Sequence, residues 1–453
     1  MLSLHQQADR LRNSNNLIPT GKGLMRSRPG AIQLVDGDIA HAQPWGNRAL
    51  LEKQGRLILW DGNENDIAPS GYHLQASAFQ AYTQNAQRED RLYVADGIKP
   101  LWYITQLADK SYQKTMVLNS VKDENGVAYP LPVPRSITTW RNRLFISDGS
   151  NRASHCQNNA PEEWDPLWSL EFQTESPDVI QLLESSGNAL LVGLTKSCFA
   201  VSGTSQLNWS RDPIPNANGV TGSNAATSKA EGTYWVSRSG IESNQQNFPI
   251  DDIKKAFHSN VSDSHIEIDS RRNLLFLLIG NRLFVMHLSR PGFFGEITGY
   301  NIRGLIAFDD YVGWYGEDGL WVLGSEDEPD RFLDGTTNDF TSLYKTWDDT
   351  PNEDGQSSLP RVFIKVKGSA RGNGSYTLGR DGEDIFTSVF TLSDQDIDTG
   401  AEVVAGADGE YISPAPVVRE FTPHEAGTSF NHSLSAPCHM EVVSFKAEYK
   451  FRG

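Results

Sequence analysis

Cysteine is scarce. Cys156, Cys198 and Cys438 are three in 453 residues, odd in number and far apart, so no disulfide framework is implied and a reducing compartment suits folding. Long apolar runs are missing as well. The longest, Leu274–Ile279, is strand-sized and far short of the roughly 20 residues a membrane-crossing helix needs. The start of the chain lacks the apolar core of a secretion signal, so synthesis in a cytoplasm is expected. Basic charge is short: 40 Lys and Arg against 57 Asp and Glu leave a net charge of −17, which argues against a basic face wrapping nucleic acid. Met is rare, with 5 copies, while Phe, Tyr and Trp number 20, 14 and 11 among many Gly and Pro, the balance of an all-β chain with frequent turns.

Charge is unevenly spread. Residues 1–60 carry eight Lys and Arg against four Asp and Glu, whereas residues 296–360 carry fifteen acidic against three basic side chains. Asp348, Asp349, Glu353 and Asp354 lie in this acidic stretch and are candidates for an acidic channel lining or surface.

Catalytic motifs are also missing. There is no His-Glu-x-x-His, no Gly-x-Ser-x-Gly, and no dinucleotide-binding glycine pattern in its strand–turn–helix setting. Gly21-Lys22 lacks the spacing of a phosphate loop. His155-Cys156 and Cys438-His439 are adjacent pairs, a poor match to zinc-ligand spacing. Asp61–Asp66 opens like a calcium loop but has Asp66 where Gly is required and Tyr72 where Glu is required. Ser147-Asp148-Gly149 echoes a sialidase turn without its aromatic continuation. No catalytic residue, metal or cofactor is expected.

What the chain does have is repetition. Arg56-Leu57-Ile58-Leu59-Trp60-Asp61-Gly62 returns as Arg91-Leu92-Tyr93-Val94-Ala95-Asp96-Gly97 and as Arg143-Leu144-Phe145-Ile146-Ser147-Asp148-Gly149, with starts 35 and 52 residues apart. Each phrase is a strand ending in an Asp-Gly that suits a tight hairpin turn. Arg282–His287 is a worn fourth copy, and Gly280-Asn281 and Asp318-Gly319 are further turn signals. Six or seven hairpin-centred units between Ala49 and Gly324 give about 40–47 residues each, the size of a propeller blade. Most tryptophans fall inside strand patterns and read as core.

The expected architecture is all-β: a six- or seven-bladed β-propeller with a C-terminal β-sandwich-like domain. The expected boundaries are an N-terminal extended segment over 1–45, the propeller over 46–335, an acidic linker over 336–360 and the C-terminal domain over 361–453. Asp9–Ile18 has the makings of a short helix weakened by Asn13, Asn15 and Asn16, and Ile250–Phe257 is the other helix candidate. Gln157–Trp168, carrying Trp164, Trp168 and two prolines, reads as a polar loop. Asn208–Lys229, carrying Asn208, Asn216 and Asn218, reads as a long aperiodic loop, a candidate gate or contact segment. The final strand, which alternates through Val443, Phe445, Ala447, Tyr449 and Phe451, is expected to pair into a sheet.

Several phrases carry a family resemblance: Gly23-Leu24-Met25-Arg26-Ser27-Arg28-Pro29-Gly30, then Trp140-Arg141-Asn142-Arg143, then Ser176-Pro177-Asp178-Val179-Ile180 followed by Val192-Gly193 and Ser202-Gly203. In these the chain resembles the nozzle, or tail-hub, β-propeller proteins of short-tailed bacteriophages, of the packaged-DNA stabilisation type. The resemblance implies a structural, non-enzymatic virion protein assembled in the host cytoplasm. It further implies a homo-hexameric ring docked on the tail adaptor or hub ring, with a fibre or spike as a further partner. Double-stranded DNA would pass through a closable channel without specific binding. The competing expectation is a propeller glycoside hydrolase or a lectin that binds cell-surface polysaccharide.

Overall fold

The computed structural model describes residues 11–19, 25–69, 74–82, 88–117, 120–122, 127–174, 176–243, 247–248, 250, 253, 256–257, 261–262, 264–292, 294–324, 329–338, 341–346, 357–368, 372–380, 383–392, 417–421, 425–427, 430–437 and 440–451. The architecture is all-β, built from repeated four-strand antiparallel meanders.

Seven such meanders, called sheets below, follow one another; the first five stand alone, while the sixth and seventh are parts of a nine-stranded and a six-stranded sheet. The first holds Ile39–Trp45, Arg48–Lys53, Arg56–Trp60 and Glu64–Pro69; the second holds Gln75–Tyr82, Arg88–Ala95, Trp102–Gln106 and Tyr112–Met116. The third runs through Ser136–Trp140, Arg143–Ser147, Arg152–Gln157 and Ala160–Glu171. In the fourth are Ile180–Ser186, Ala189–Leu194, Cys198–Ser202 and Ser210–Pro213. The fifth comprises Ala226–Lys229, Gly232–Ser237, Gly240–Ser243 and Asn247–Phe248, and the sixth His265–Asp269, Leu274–Ile279, Arg282–His287 and Phe294–Ile297. The seventh has Ile302–Ala307, Val312–Gly316 and Gly319–Leu323, and takes its fourth strand, Ala31–Val35, from near the start of the chain.

Tight turns explain the strand pairing. Trp140 faces Arg143 across a two-residue turn in which Arg141 and Asn142 have φ of 48° and 56°, the left-handed pair that matches strand twist. Gly46-Asn47 and Gly187-Asn188 join the same two strands in the first and fourth sheets. The repeated Arg-Leu phrase, by contrast, does not mark equivalent strands. It is the third strand of the first and sixth sheets but the second strand of the second and third, which accounts for the uneven spacing. Its Asp-Gly is also not uniformly a tight turn, since the connections it opens span 61–63, 96–101 and 148–151.

The core lies between sheets. Apolar side chains of neighbouring sheets share buried clusters: Trp45 with Leu92 and Trp102 between the first and second, Phe79 with Leu144 and Ile146 between the second and third, and Phe145 with Leu190 and Val192 between the third and fourth. Leu191, Trp235 and Leu275 link the fourth, fifth and sixth, Phe276 and Trp314 the sixth and seventh, and Tyr315 with Ala42 and Leu51 the seventh and first. A sheet covered on both faces favours strands apolar at every position, and Leu274–Ile279 is buried throughout. The first strands of successive sheets also touch, the first strand of the seventh meeting that of the first.

Several expectations need correction. Residues 11–19 form strands Leu11–Asn15 and Leu17–Pro19 rather than a helix, because Leu11–Asn15 pairs with Thr341–Thr346 and Asn16, at φ 55°, turns the chain between the two. Most of the Gln157–Trp168 stretch is not a loop: Ala160–Glu171 is a bulged outer strand. An outer strand needs no N–H donors on its free side, so Pro161 and Pro166 are tolerated. Within 208–229, Ser210–Pro213 and Ala226–Lys229 are strands, leaving 214–225 as the connection. Of the helix candidate 250–257, Ala256 and Phe257 are helical and Ile253 lies in a turn.

The C-terminal strands pair with the N-terminal ones. Thr341–Thr346 joins Leu11–Asn15 to a run of Phe430–Pro437, Gly372–Arg380 and Glu383–Leu392. The final strand, Met440–Phe451, pairs antiparallel with Ser357–Gly368 on one side and Met25–Ser27 on the other.

Candidate functional site

The connections divide between two ends of the sheets. Those joining second to third strands, and those entering each new first strand, are tied together by backbone hydrogen bonds. Gly97 N–H donates to Pro134 O at 2.9 Å, Arg135 N–H to Ser147 O at 2.7 Å, Ile180 N–H to Ser150 O at 2.9 Å and Val220 N–H to Leu194 O at 2.8 Å. The opposite end holds the two-residue turns, where Asn159 N–H donates to Asn142 O at 2.8 Å. The long connections, 117–135, 172–179 and 214–225, therefore share one end, the usual setting for binding surfaces.

That end carries exposed apolar side chains. Ile98 is 52% exposed, and the Gly97–Pro134 bond sets it beside the connection that holds Val133. Val127, Tyr129 and Val179 are exposed on the same set of connections. Next to them, on the outer flank of the third sheet, is a groove of about 260 Å³. Leu131, Pro132 and Ile146 give it aliphatic walls, Tyr129 and Trp164 aromatic ones, and Asp148, Arg152 and Asp165 its charges. Asp148 Oδ1 accepts Ser150 N–H at 3.0 Å and Asp165 Oδ1 accepts Leu167 N–H at 2.8 Å, so each carboxylate spends one oxygen on its own turn. Arg152 donates through Nε to Ser169 Oγ at 2.6 Å and through Nη2 to Pro166 O at 2.8 Å.

A second polar region lies where the first strands meet. Asn224, just before the fifth sheet, accepts from Gln75 Nε2 of the second sheet at 2.8 Å, joining sheets that are not neighbours. His265 lies 3.5 Å from Asn224 and accepts Leu305 N–H at Nδ1, at 3.3 Å. Glu184, Lys229 and Glu267 stand on the first strands of the fourth, fifth and sixth sheets. Burial, and then the charge of Glu267, pushes Glu184 up to about 8 despite Lys229 and the Ser228 N–H. Burial pushes Glu267 up to about 7, opposed by the 2.9 Å hydrogen bond from Thr227 Oγ1 and by Lys229. Burial pushes His265 down to about 4, with His41 adding to the effect. Proton-holding groups are thus present, but no nucleophile is paired to a base among them. Among the described residues, no three His, Cys, Asp or Glu side chains are grouped to hold a metal.

The residues singled out from sequence scatter. Trp164 is 7% exposed, belongs to the core between the second and third sheets, and lines the groove, with its indole N–H donating to Pro161 O at 2.8 Å. Trp168 stacks on His155 with ring centroids 6.1 Å apart, and burial pushes His155 down to about 4. Asn208 sits at the turn end, where its Oδ1 caps Thr204 and Ser205. Asn216 and Asn218 lie on the long-connection end, Asn218 donating to Glu242 at 3.0 Å. Asp348, Asp349, Glu353 and Asp354 lie outside the described residues. Sequence reading missed the groove residues Tyr129, Arg152 and Asp165. The one available signal is Asp148, which stands in the repeated phrase and in the Ser147-Asp148-Gly149 turn.

No family model and no curated protein matches the sequence. Solved structures do. YCF48 bound to a D1 peptide is 12% identical with a TM-score of 0.37, over 66% of this chain and 99% of that one. BamB from Moraxella catarrhalis is 11% identical with a TM-score of 0.35, over 70% and 97%. The extracellular domain of a hybrid two-component system from B. thetaiotaomicron is 13% identical with a TM-score of 0.29, over 68% and 45%. Likenesses this distant carry no statement about function.

The phage tail-nozzle identification is corrected. The similar structures reported are not phage proteins, and each phrase that carried the resemblance contains residues with a structural task. Asp178 accepts from Val179 N–H, Lys196 N–H and Ser197 Oγ, tying the entry of the fourth sheet to its second turn. A Cβ on Gly193 would meet Val220 at 2.6 Å, and one on Gly203 would meet the Asn208 carbonyl at 2.5 Å. Arg28 is a buried ion-pair partner of Asp330, and Arg141-Asn142 is a turn. Turn geometry, close packing and a buried ion pair account for these residues without a shared family. The virion location, host-cytoplasm assembly and genome-ejection role are withdrawn with the identification. The hexameric ring, adaptor, fibre and passing DNA have no support beyond the same resemblance. Among the described residues, no helix is long and apolar enough to cross a membrane.

Proposed function

We propose that the seven sheets form a closed seven-bladed β-propeller, with Ala31–Val35 completing the last blade, and that this ring is a non-catalytic scaffold for a partner protein. Buried clusters shared by neighbouring sheets, the seventh and first included, support closure. Strands within 11–27 and 341–451 form a second β unit fastened to the ring. The observation that carries the reading is the set of exposed apolar side chains, Ile98, Val127, Tyr129, Val133 and Val179, on connections of one end, with Ile98 beside the connection that holds Val133, against Leu107 and Leu207 on turns of the other end. Grouped exposed apolar side chains mark interaction surfaces, whereas single ones need no explanation. The charge of −17 favours a partner with basic surface, which speeds encounter and excludes acidic competitors.

The test is site-specific photo-cross-linking in the source cells, with the reactive residue at Ile98 or Val133 and, as control, at Asn47 or Asn188 in the turns of the other end. One discrete protein cross-linked from both Ile98 and Val133, and from neither control, is expected. Equal labelling at the two ends overturns the reading. So does binding or cleavage of a polysaccharide by the purified chain.

A further inference from the structure

The groove on the third sheet has a shape and charge that suit one kind of group. Its volume of about 260 Å³ is below the roughly 300–1,000 Å³ of sites that enclose small molecules or cofactors, and suits a single long side chain. Aliphatic walls from Leu131, Pro132 and Ile146 would cover a methylene stem, as lysine and arginine stems are covered elsewhere. Tyr129 and Trp164 line the same space, and aromatic faces attract a cation.

Charge decides the sign of the ligand. Two carboxylates, Asp148 and Asp165, line the groove against one guanidinium, Arg152. Each carboxylate has an oxygen not used by its own turn, whereas Arg152 already spends Nε and Nη2 on Ser169 and Pro166. The excess is one negative charge at the border of the exposed apolar set.

We propose that this groove receives a lysine or arginine side chain presented by the partner segment that docks beside it. This deepens the scaffold reading and rests on it. The apolar set would supply adhesion, and the groove would fix register and reject partners with an acidic side chain at that position.

The experiment uses the full chain labelled with 5-fluorotryptophan, the Trp164 fluorine signal being assigned by Trp164→Phe. The probes are three acetylated, amidated tripeptides with alanine at both ends and lysine, norleucine or glutamate in the middle. The lysine peptide should move the Trp164 signal saturably, and added salt should weaken it. Asp148→Asn with Asp165→Asn should weaken binding about tenfold, the size of losing one charge-assisted contact of about 1.4 kcal/mol. Asparagine keeps the Oδ1 acceptors of both turns, so an unchanged melting temperature confirms that the double variant is folded. The proposal is overturned if norleucine binds as well as lysine, if only the glutamate peptide binds, or if no peptide moves the signal. Cross-linking from Ile98 and Val133 together with a silent Trp164 signal would sink the groove alone. A lysine-dependent signal without any cross-linked partner would sink the scaffold reading instead.

Discussion

The fourth and seventh sheets have the same four-strand plan and are assembled in opposite ways. The fourth is contiguous, from Ile180 to Pro213, each strand pairing with the one before it. The seventh joins Ile302–Leu323 to Ala31–Val35 from the far end of the chain, with Leu320 opposite Val35 and Leu323 opposite Ala31. Local turns are enough to make the first. The second needs a lock, and one is present. Arg28, 1% exposed, reaches Asp330 Oδ1 at 2.7 Å and Oδ2 at 2.8 Å, and also donates to Asn16 Oδ1, Pro29 O and the Tyr300 hydroxyl. Asp330 Oδ1 also accepts Ala31 N–H at 2.7 Å, and Gly324 N–H donates to Gly30 O at 2.7 Å. The difference teaches that a sheet assembled from distant segments is joined through specific buried polar groups, whereas a contiguous sheet needs only its own turns. Closing a long loop costs little more than closing a short one, since the entropy grows only with the logarithm of length. Specific contacts at the joint are what decide the matter.

Breaking the lock gives the largest expected effect. Arg28→Met should destabilise by about 3–5 kcal/mol, because Asp330 is left charged and buried without its partner. Arg28→Met with Asp330→Leu should recover part of the loss, and denaturant unfolding of both variants checks this. If Arg28→Met costs under about 1 kcal/mol, the seam is not held by this pair.

Gly319→Ala attacks the same joint sterically. A Cβ there would lie 2.0 Å from the Val35 carbonyl oxygen, at a φ of 110° that side chains avoid. A loss of about 2–4 kcal/mol is expected. Gly187→Ala, in the first turn of the fourth sheet with open space around it, should cost about 1 kcal/mol. Equal losses would erase the distinction between seam and contiguous sheet.

On the fourth-sheet side the expected effect depends on pH. Glu184 binds its proton more tightly folded than unfolded, so its contribution is full below about pH 4.5 and is lost as pH rises through about 8. Glu184→Gln should therefore raise the melting temperature at pH 8 by about 2–4 °C, on the order of 1 kcal/mol, and change little at pH 5. His265 acts with the opposite sign. Held neutral in the fold, it loses stability for the fold as pH drops below about 6.5 toward 4. A thermal-melt series from pH 4 to 9 separates the two.

An effect of similar size, but independent of pH, is expected in a turn. Asn142→Ala, at φ 56° in the first turn of the third sheet, should cost about 1 kcal/mol without moving the pH profile.

Much of the fold was legible because strands and hairpin turns are local. Arg56–Trp60, Arg143–Ser147, Leu274–Ile279 and Arg282–His287 are strands in sequence and in structure. The reading failed where partners were distant. Leu11–Asn15 is a strand because Thr341–Thr346 lies beside it, and no signal within either segment announces the other. Ala160–Glu171 was hidden by its prolines, which an outer edge permits. The groove was illegible for a related reason, since Tyr129, Asp148 and Asp165 come from three separate segments and no spacing links them. The family resemblance misleads in the reverse way: Asp178, Gly193 and Gly203 suggest kinship, although hydrogen-bonding and packing demands explain them.

By itself, the amino-acid order settled what depends on near neighbours: β-structure throughout, repetition at blade size, acidic character and the placement of turns. A side chain's alternation and a glycine's left-handed freedom act within a few residues, so they can be read from a short window. Tertiary structure alone decided which end became crowded with apolar connections, which strand closed the seventh sheet, and which carboxylates came to share a groove. Those outcomes depend on surfaces buried between segments hundreds of positions apart, and burial energy belongs to the assembled pair, not to either segment.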